Sequence, residues 1–477
     1  LVIISAVGKF SLIICLQIFF LCYYASRSGG VPEWPKGSDC KSDGSTFGGS
    51  NPPPSTTFQK KGTTFVVPFL IPITAYSDDY HKNYRLLFVN LPFRIYTFNT
   101  LIVFKVSIMR KNVYLATAIC TLLAHGSAKA DIDFTGFASI TAGKVLSGDG
   151  VPHYDVPPTF LADYPIVSAY SEDLSFKQES LFGLQIKATL SDGLSATAQI
   201  VSRGADSFDT TFEWAYLSYE VNDNWTIQAG KKRLPLFYYS DFYDVGFAYV
   251  WLRPPADTYT WQVFNYNGIN ALYSGHVGDW SISSNFYTGK EESENNRLLS
   301  QFFFIEPTTE IWKDIFGAVF NASNDWLELR FTAMTYTNER FRSGVHQTWG
   351  GKTERDGTFL GMAINATWGD TFLLTEINQL ELDDDGELDS LMVSIGHNFG
   401  TFTPYLSYSK LDQTGDYLDG SPITDGEDHD TTSVGIRYDF HPSAAFKVQY
   451  DVVNDNSYEY AVAGDSKALT FGIDLVF

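Results

Sequence analysis

Histidine and cysteine, the side chains that most often bind metals or act as nucleophiles and bases, are sparse in this sequence of 477 residues. Residues 131–477 contain six histidines without metal-ligand spacing, and no cysteine. The histidines are His153, His276, His346, His397, His429 and His441. The motifs HExxH and GxSxG and a glycine-rich phosphate loop are absent from the sequence. Because a catalytic nucleophile needs a base and an orienting partner, the sequence predicts no enzyme, no metal site and no other cofactor.

Carboxylates between Glu381 and Asp385 resemble the start of a calcium-binding loop. Such a loop ends on a bidentate glutamate at its twelfth position. That position is Met392 here, so we expect a charged hairpin turn and no calcium site.

Charge and cysteine divide the chain into two unlike parts. Residues 1–130 carry 13 basic and 5 acidic side chains and all four cysteines, whereas residues 131–477 carry 20 basic and 50 acidic side chains. The resulting net charge of −30 in the second part argues against nucleic acid as a partner, because nucleic acid binds basic surfaces. The lack of cysteine excludes disulfides and thiol chemistry from the same part.

Residues 109–130 have the three parts of a secretory signal peptide. Met109 to Asn112 form a basic start, Val113 to Leu123 form a short apolar stretch, and Ala128 and Ala130 form a small-residue cleavage box. An apolar stretch of eleven residues is too short to span a bilayer. The sequence therefore predicts export, with cleavage before Asp131.

Residues 1–108 lie upstream of this predicted signal peptide. The segments Gly29 to Gly37 and Gly49 to Pro52 resemble the conceptual translation of a bacterial tRNA gene. We therefore expect residues 1–108 to be a non-native extension from an over-extended gene model. The alternative is a genuine Pro/Ser-rich linker that follows a membrane segment at 10–24.

From Asp131 onward, apolar and polar residues alternate with a period of two, in stretches that predict long β-strands. Tight turns are predicted at 191–193, 222–224, 278–279, 323–325, 369–370, 400 and 441–443. Longer polar loops are predicted at 147–177, 204–209, 234–262, 290–311, 339–357, 383–387, 412–430 and 454–465.

Seven turns and eight loops imply sixteen strands, with both ends of the sheet at the short-turn side. One face of each strand is apolar and the other is polar, as in a strand between lipid and water. Only a closed sheet satisfies every backbone hydrogen bond in lipid, so the fold class is an all-β transmembrane antiparallel barrel. Sixteen strands leave an aqueous channel. Tryptophans near the strand ends suit interfacial girdles, with a soluble barrel or sandwich core as the alternative: Trp214, Trp225, Trp280, Trp326 and Trp368.

The last strand alternates Leu469, Phe471, Ile473, Leu475 and the terminal Phe477 with other residues. With the signal peptide and the sixteen-strand rhythm, this pattern makes the chain from Met109 to Phe477 resemble the Gram-negative outer-membrane porin family. The resemblance implies a homotrimeric outer-membrane channel for passive diffusion of small hydrophilic solutes. It also implies contact with outer-membrane lipid and lipopolysaccharide, and recognition of the five C-terminal residues by the barrel-assembly machinery.

Porins of this family fold their third long loop into the barrel, and here that loop, at 234–262, is rich in aromatic residues. The resemblance implies that Asp241 and Asp244 are the acidic residues of the constriction. The basic residues that strand parity or sequence position places around it are Arg233, Lys187, Arg203, Arg330, Arg437 and Lys447. Opposed charges of this kind set the ion preference of a pore, and the net charge of −30 predicts a preference for cations. A trimer contact or a surface lid is the alternative role of the loop.

A second functional hypothesis is a carbohydrate-specific channel that uses the aromatic loop as a stacking track. Maltoporin-type channels of that kind have eighteen strands, which disfavours it. An outer-membrane adhesin or enzyme built on a barrel, and a secreted soluble β-protein such as a lectin, are less favoured still. The acidic stretch 412–430 is expected to be a solvated loop, with divalent cations bridging to lipopolysaccharide as the alternative.

Overall fold

The computed structural model of the chain describes residues 131–150, 156–384, 386–417, 420–424, 426–457 and 464–477. The predicted extension 1–108 and the predicted signal peptide 109–130, with Ala128 and Ala130, lie outside the described residues.

Sixteen long strands form one antiparallel sheet. The first eight are β1 (Asp131–Gly148), β2 (Leu181–Ser191), β3 (Leu194–Arg203), β4 (Thr210–Glu220), β5 (Trp225–Arg233), β6 (Asn265–Val277), β7 (Trp280–Ser293) and β8 (Thr308–Ser323). The others are β9 (Leu327–Arg342), β10 (Arg355–Trp368), β11 (Thr371–Leu382), β12 (Gly386–His397), β13 (Phe402–Thr414), β14 (Asp428–His441), β15 (Ala444–Asp455) and β16 (Ser466–Val476). Each strand pairs with the next, and β1 pairs with both β2 and β16, which closes the barrel. The predicted sixteen-stranded antiparallel barrel is confirmed.

The alternating pattern places polar and apolar residues on opposite faces of each strand. On β16, Ala468, Thr470 and Asp474 are buried inside the barrel. Leu469 and Ile473 lie on the outer face. The five C-terminal apolar residues singled out in the sequence therefore point outwards, and their role as an assembly signal stays a prediction.

The C-terminal residue completes the seam between β1 and β16. The backbone N–H of Gly136 donates to the carbonyl oxygen of Phe477 at 2.7 Å, and the N–H of Phe477 donates to the carbonyl oxygen of Gly136 at 2.9 Å. The Phe477 ring lies directly over Gly136, where a Cβ would come within 2.4 Å of it. A glycine is needed on β1 at this point for the ring to fit.

The seven tight turns lie where the sequence predicts them, at one end of the barrel. Gly278 and Gly369 occupy two of these turns with φ of 60° and 61°, a region that favours glycine. Trp326 and Trp368 flank neighbouring turns, and both rings are exposed on the outside, 6.3 Å apart between centroids. An amphipathic ring at this level suits a membrane interface.

Trp214 departs from the expected girdle because it is 3% exposed. The register of β3 and β4 shifts at a bulge, where Gln199 pairs with Trp214 and Ile200 pairs with Phe212. The extra residue in β4 reverses the alternation of its side chains. Trp214 therefore shares a face with the buried Gln199.

Within the described residues, helical structure is limited to short segments in the loops. Three-residue 3-10 turns occupy Gly204–Asp206, Ser240–Phe242 and Gly246–Ala248, and a π-helix spans Leu298–Phe303. In the part of the chain that the structure describes, no helix combines the length and the apolar character needed to cross a membrane.

Candidate functional site

The third loop (residues 234–264) joins β5 to β6 and crosses the inside of the barrel. The indole Nε1 of Trp251, a side chain that is 1% exposed, donates to Ser394 Oγ of β12 at 2.9 Å. The backbone N–H of Leu252 donates to Gln449 Oε1 of β15 at 2.9 Å. Because Ser394 and Gln449 are buried on the inner face of the wall opposite β5, the predicted inward fold of this loop is confirmed.

Aromatic side chains of the third loop pack between the loop and the wall. The ring centroid of Trp261 lies 4.9 Å from that of Trp312 on β8 and 5.7 Å from that of Phe359 on β10. Phe237 also packs on Phe359, at 5.6 Å between centroids. These rings belong to a buried core and present no open face for stacking a sugar. Their packing explains why this loop is so rich in aromatic residues.

Two arginines and two carboxylates form a closed ion network at one side of the third loop. Arg203 of β3 lies 2.7 Å from Asp244, and Arg233 at the end of β5 lies 2.6 Å from the other oxygen of Asp244. Glu213 of β4 completes the network, 2.7 Å from Arg203 and 3.3 Å from Arg233. All four side chains are buried, and their charges balance. The structure thus brings together three predicted site residues, Asp244, Arg203 and Arg233, with one that sequence reasoning missed.

Lys447 of β15 holds the far side of the third loop. Its ammonium, in a side chain that is 0% exposed, donates to the carbonyl oxygens of Gly246 at 2.6 Å, Tyr249 at 2.8 Å and Trp251 at 2.6 Å. The same ammonium lies 2.9 Å from Asp474 of β16. Lys447 therefore binds the backbone of the loop and is neutralised by a carboxylate.

Arg437 of β14 and Arg330 of β9 also bind backbone carbonyls of the third loop. Arg437 donates to the carbonyl oxygens of Phe247 and Tyr249, each at 2.8 Å, and pairs with Asp439 at 2.8 Å. Arg330 donates to the carbonyl oxygen of Pro235 at 2.7 Å. These cations fix the path of the loop across the barrel.

The remaining two predicted site residues lie apart from these contacts. Asp241 is half-buried in the helical turn of the third loop and acts electrostatically on Lys232 of β5. Lys187 lies towards the short-turn end of β2, opposite Asp133 of β1. No ion pair joins Lys187 to any of the described residues.

Several buried carboxylates around the third loop were not singled out in the sequence. Glu376 of β11 accepts from the Tyr238 N–H at 2.9 Å and from the Tyr259 hydroxyl at 2.8 Å. Asp451 of β15 pairs with Arg253 at 2.8 Å. Strand parity places Glu376 and Asp451 inside the barrel, but the β4 bulge hides Glu213 from the same reasoning. No group of three or more His, Cys, Asp or Glu side chains within the described ranges is placed to hold a metal ion.

Comparisons with known proteins give a family and a fold. A family model described as Gram-negative porin matches residues 116–475. No curated protein matches the chain. The outer membrane channel DcaP of Acinetobacter baumannii has a TM-score of 0.50 and 10% identity, over 74% of this chain and 99% of that one.

Two further solved structures have TM-scores below that of DcaP. The anion-selective porin from Comamonas acidovorans has a TM-score of 0.45 and 13% identity, over 73% of this chain and 100% of that one. The trimer form of OmpT from Vibrio cholerae has a TM-score of 0.48 and 13% identity, over 73% of this chain and 99% of that one.

Proposed function

The chain belongs to the Gram-negative porin family and forms an outer-membrane channel for passive diffusion, and we propose that this channel prefers small hydrophilic cations. The observation that carries the proposal is the neutralisation of the basic residues around the third loop. Arg203 and Arg233 are matched by Glu213 and Asp244, so this group adds no net positive charge.

Carboxylates exceed cations in the rest of the same region. Lys447 is matched by Asp474, and Arg437 is matched by Asp439. Arg253 contacts two carboxylates, Glu179 and Asp451, and Arg330 and Glu376 balance each other electrostatically, which leaves an excess of one carboxylate in this group. Fixed negative charge beside a water-filled passage attracts cations and repels anions.

The reversal potential of the purified channel in a potassium chloride gradient tests the preference. We expect a sign that reports cation selectivity, and a smaller value for Asp241→Asn, which removes a half-buried charge outside the ion network. Asp192→Asn, in an exposed turn at the opposite end of the barrel, is the matched control and should leave the value unchanged. A sign that reports anion selectivity would refute the preference, while the presence of conductance tests the channel itself.

We also propose that the channel is a homotrimer, as family membership implies. The trimer form of the Vibrio cholerae OmpT neighbour provides a precedent for such an assembly in a similar fold. Light scattering in detergent should give three times the mass of one chain, and a monomeric mass would contradict the proposal.

Outer-membrane lipid, lipopolysaccharide and the barrel-assembly machinery are the proposed cellular partners. Large apolar side chains exposed on the outer face, such as Ile140 and Phe316, support contact with lipid. Removal of Phe477 should lower the amount of assembled barrel in the outer membrane if the assembly machinery recognises the last strand. An unchanged amount would contradict that recognition.

A further inference from the structure

The first loop (described residues 156–180), which joins β1 to β2, also folds into the barrel. It contains a short hairpin, Phe160–Asp163 paired with Ser168–Tyr170, here called the first-loop hairpin. Phe160, Ala162 and Tyr170 are buried in one cluster with Val145 of β1 and Ala468 of β16. Because Ala468 faces the inside of the barrel, the hairpin lies against the inner wall beside the seam.

A hydrogen bond joins the first-loop hairpin to the third loop. The hydroxyl of Tyr243 donates to Asp163 Oδ2 at 2.6 Å. Asp163 also accepts from the backbone N–H of Ile166 at 3.2 Å, within its own loop. The two loops are thus joined beside Asp244, the residue that the third loop places between Arg203 and Arg233.

Arg253 of the third loop binds both the first loop and the wall. Its guanidinium donates to Glu179 Oε2 at 2.6 Å and to Asp451 Oδ2 of β15 at 2.8 Å. The guanidinium carbon also lies 5.0 Å from the centroid of the Phe160 ring. One buried cation therefore fixes the first loop from two directions.

Tyr164 gives the first loop a third attachment, on β14. Its hydroxyl lies 2.7 Å from His429 Nε2, and the two rings stack with centroids 5.5 Å apart. His429 Nδ1 in turn lies 2.7 Å from Asp257 Oδ1 of the third loop. First loop, third loop and wall meet at this histidine.

Side chains of the fourth loop (residues 294–307), which joins β7 to β8, pack onto the same assembly. Leu161 and Tyr164 form a buried cluster with Leu298, against which Ala256 and Phe302 pack. First, third and fourth loops therefore share one apolar contact at the long-loop end of the barrel.

Two small cavities adjoin the first-loop hairpin. One, of about 30 Å³, is lined in part by Phe160, Leu161 and Tyr164. The other, of about 50 Å³, is lined in part by Ala162, Asp163 and Ile166. Arg253 lines both cavities. Cavities of this size hold only one or a few water molecules, so the hairpin fills most of the space between the inner wall and the third loop.

We propose that the first-loop hairpin is a second size-limiting element of the channel, separate from the third loop. Tyr164 and Glu179 are its positioning residues. The hairpin narrows the passage by filling the space between the inner wall and the third loop, and its displacement opens that space to solutes. This inference rests on the channel function.

The test combines hairpin removal with two point changes. In one variant, residues 159–171 are replaced by a short glycine–serine linker. In another, Tyr164→Ala and Glu179→Ala remove the attachments to His429 and Arg253. We expect single-channel conductance to rise at least about twofold in both, because a pore conducts according to its narrowest section. Liposome swelling should show that sugars too large for the unmodified protein enter through both variants.

Two controls separate this effect from a general loop effect. Glu172→Ala makes the same chemical change as Glu179→Ala, on an exposed residue of the same loop. Removal of residues 345–351 shortens the fifth loop (residues 343–354), which joins β9 to β10. Both controls should conduct like the unmodified protein and exclude the same sugars. If the hairpin deletion does not assemble, the double substitution provides the result alone.

Conductance and sugar exclusion unchanged in the double substitution would overturn the inference while leaving the channel function intact. A rise of equal size in the Glu172→Ala control would also overturn it. If neither the unmodified protein nor the variants conduct, the channel function itself fails. If the unmodified protein does not conduct and only the hairpin variants do, the result supports a hairpin that closes the channel completely.

Discussion

Lys447 shows how a single side chain can fix the shape of a constriction. Its ammonium fills a cradle of three carbonyl oxygens and one carboxylate, and no water-exposed surface remains on the side chain. Polar groups buried in this way are costly to leave without a partner.

Lys447→Met keeps much of the side-chain length and removes the charge. We expect a loss of roughly 3–5 kcal/mol of stability, because the substitution leaves Asp474 buried without its partner. The third loop should move, giving single-channel currents that are larger and noisier. Thermal unfolding in detergent and single-channel recording measure the two effects. Lys352→Met, in an exposed loop, is the matched control. An equal loss of stability in that variant would show that the effect does not depend on the buried contacts of Lys447.

Asp163 makes the contact between first and third loops depend on pH. Burial raises the pKa of Asp163 to about 6 from 3.8, opposed by the hydrogen bonds from Tyr243 and from the Ile166 N–H and by the charge of Arg203. Repulsion from Asp244 raises the pKa of Asp163 further, and Arg297 of the fourth loop also interacts electrostatically with Asp163. The bound arrangement of the loop is therefore favoured when the carboxyl is protonated.

The stabilisation of the bound loop by protonated Asp163 is complete below about pH 4 and is lost as the pH rises through about 6. The difference in stability between the two ends of this range is roughly 3 kcal/mol. Conductance should fall as the pH is lowered from 7.5 to 4.5, with a midpoint near pH 6. Asp163→Asn should remove that midpoint and hold conductance at its low-pH level. Asp173→Asn, on an exposed residue of the same loop, should keep the midpoint. A midpoint that survives Asp163→Asn would assign the transition to another group.

At the scale of strands, pairs of an inward tyrosine and a glycine on the next strand explain part of the unusual composition. A Cβ added at Gly435 of β14 would lie 2.2 Å from the Tyr405 ring of β13, and one at Gly317 of β8 would lie 2.2 Å from the Tyr287 ring of β7. Each ring occupies the space next to the glycine, where a Cβ would otherwise lie. High glycine and aromatic content are thus consequences of the same packing.

Gly435→Ala should lower stability by about 1–3 kcal/mol, the usual cost of forcing extra volume into a packed site. The loss should largely disappear in a Tyr405→Ala background, where the methyl group meets open space. Unfolding of the two single variants and the double variant measures this coupling. If Gly435→Ala costs the same in both backgrounds, the ring contact is not its cause.

Strand order and turn positions could be predicted because each strand carries its own period-two pattern and each short turn its own polar residues. The π-helix Leu298–Phe303 and the first-loop hairpin could not, since they depend on packing against distant loops. Strand parity placed Arg203 and Lys447 inside the barrel. It could not reveal that Glu213 pairs with Arg203, because the β4 bulge reverses the alternation of side chains there. Nor could it reveal that carbonyl oxygens of the third loop bind Lys447, because those residues are far apart in sequence.

For the whole molecule, the boundary at residue 130 stays a prediction. We expect N-terminal sequencing of protein purified from the outer membrane to begin at Asp131. Ala128→Leu and Ala130→Leu together should block cleavage and leave a longer chain, because the processing site requires small side chains. A purified protein that begins within residues 1–108 would contradict both the predicted leader and the predicted artefact.

The seam between β1 and β16 has a consequence for how the molecule forms. Ser139 donates to Asp474 at 2.6 Å, and the two residues are 335 positions apart. The edge of β1 that faces away from β16 also bonds to the first loop. The backbone N–H groups of Gly143 and Ser175 each donate to the carbonyl oxygen of the other residue at 3.0 Å. Contacts between such distant parts of a chain form late in folding. Until the last strand arrives, the sheet has two open edges, which are sites for aggregation. Safe assembly of this protein therefore depends on protecting an unfinished sheet until its final eleven-residue strand pairs with its first.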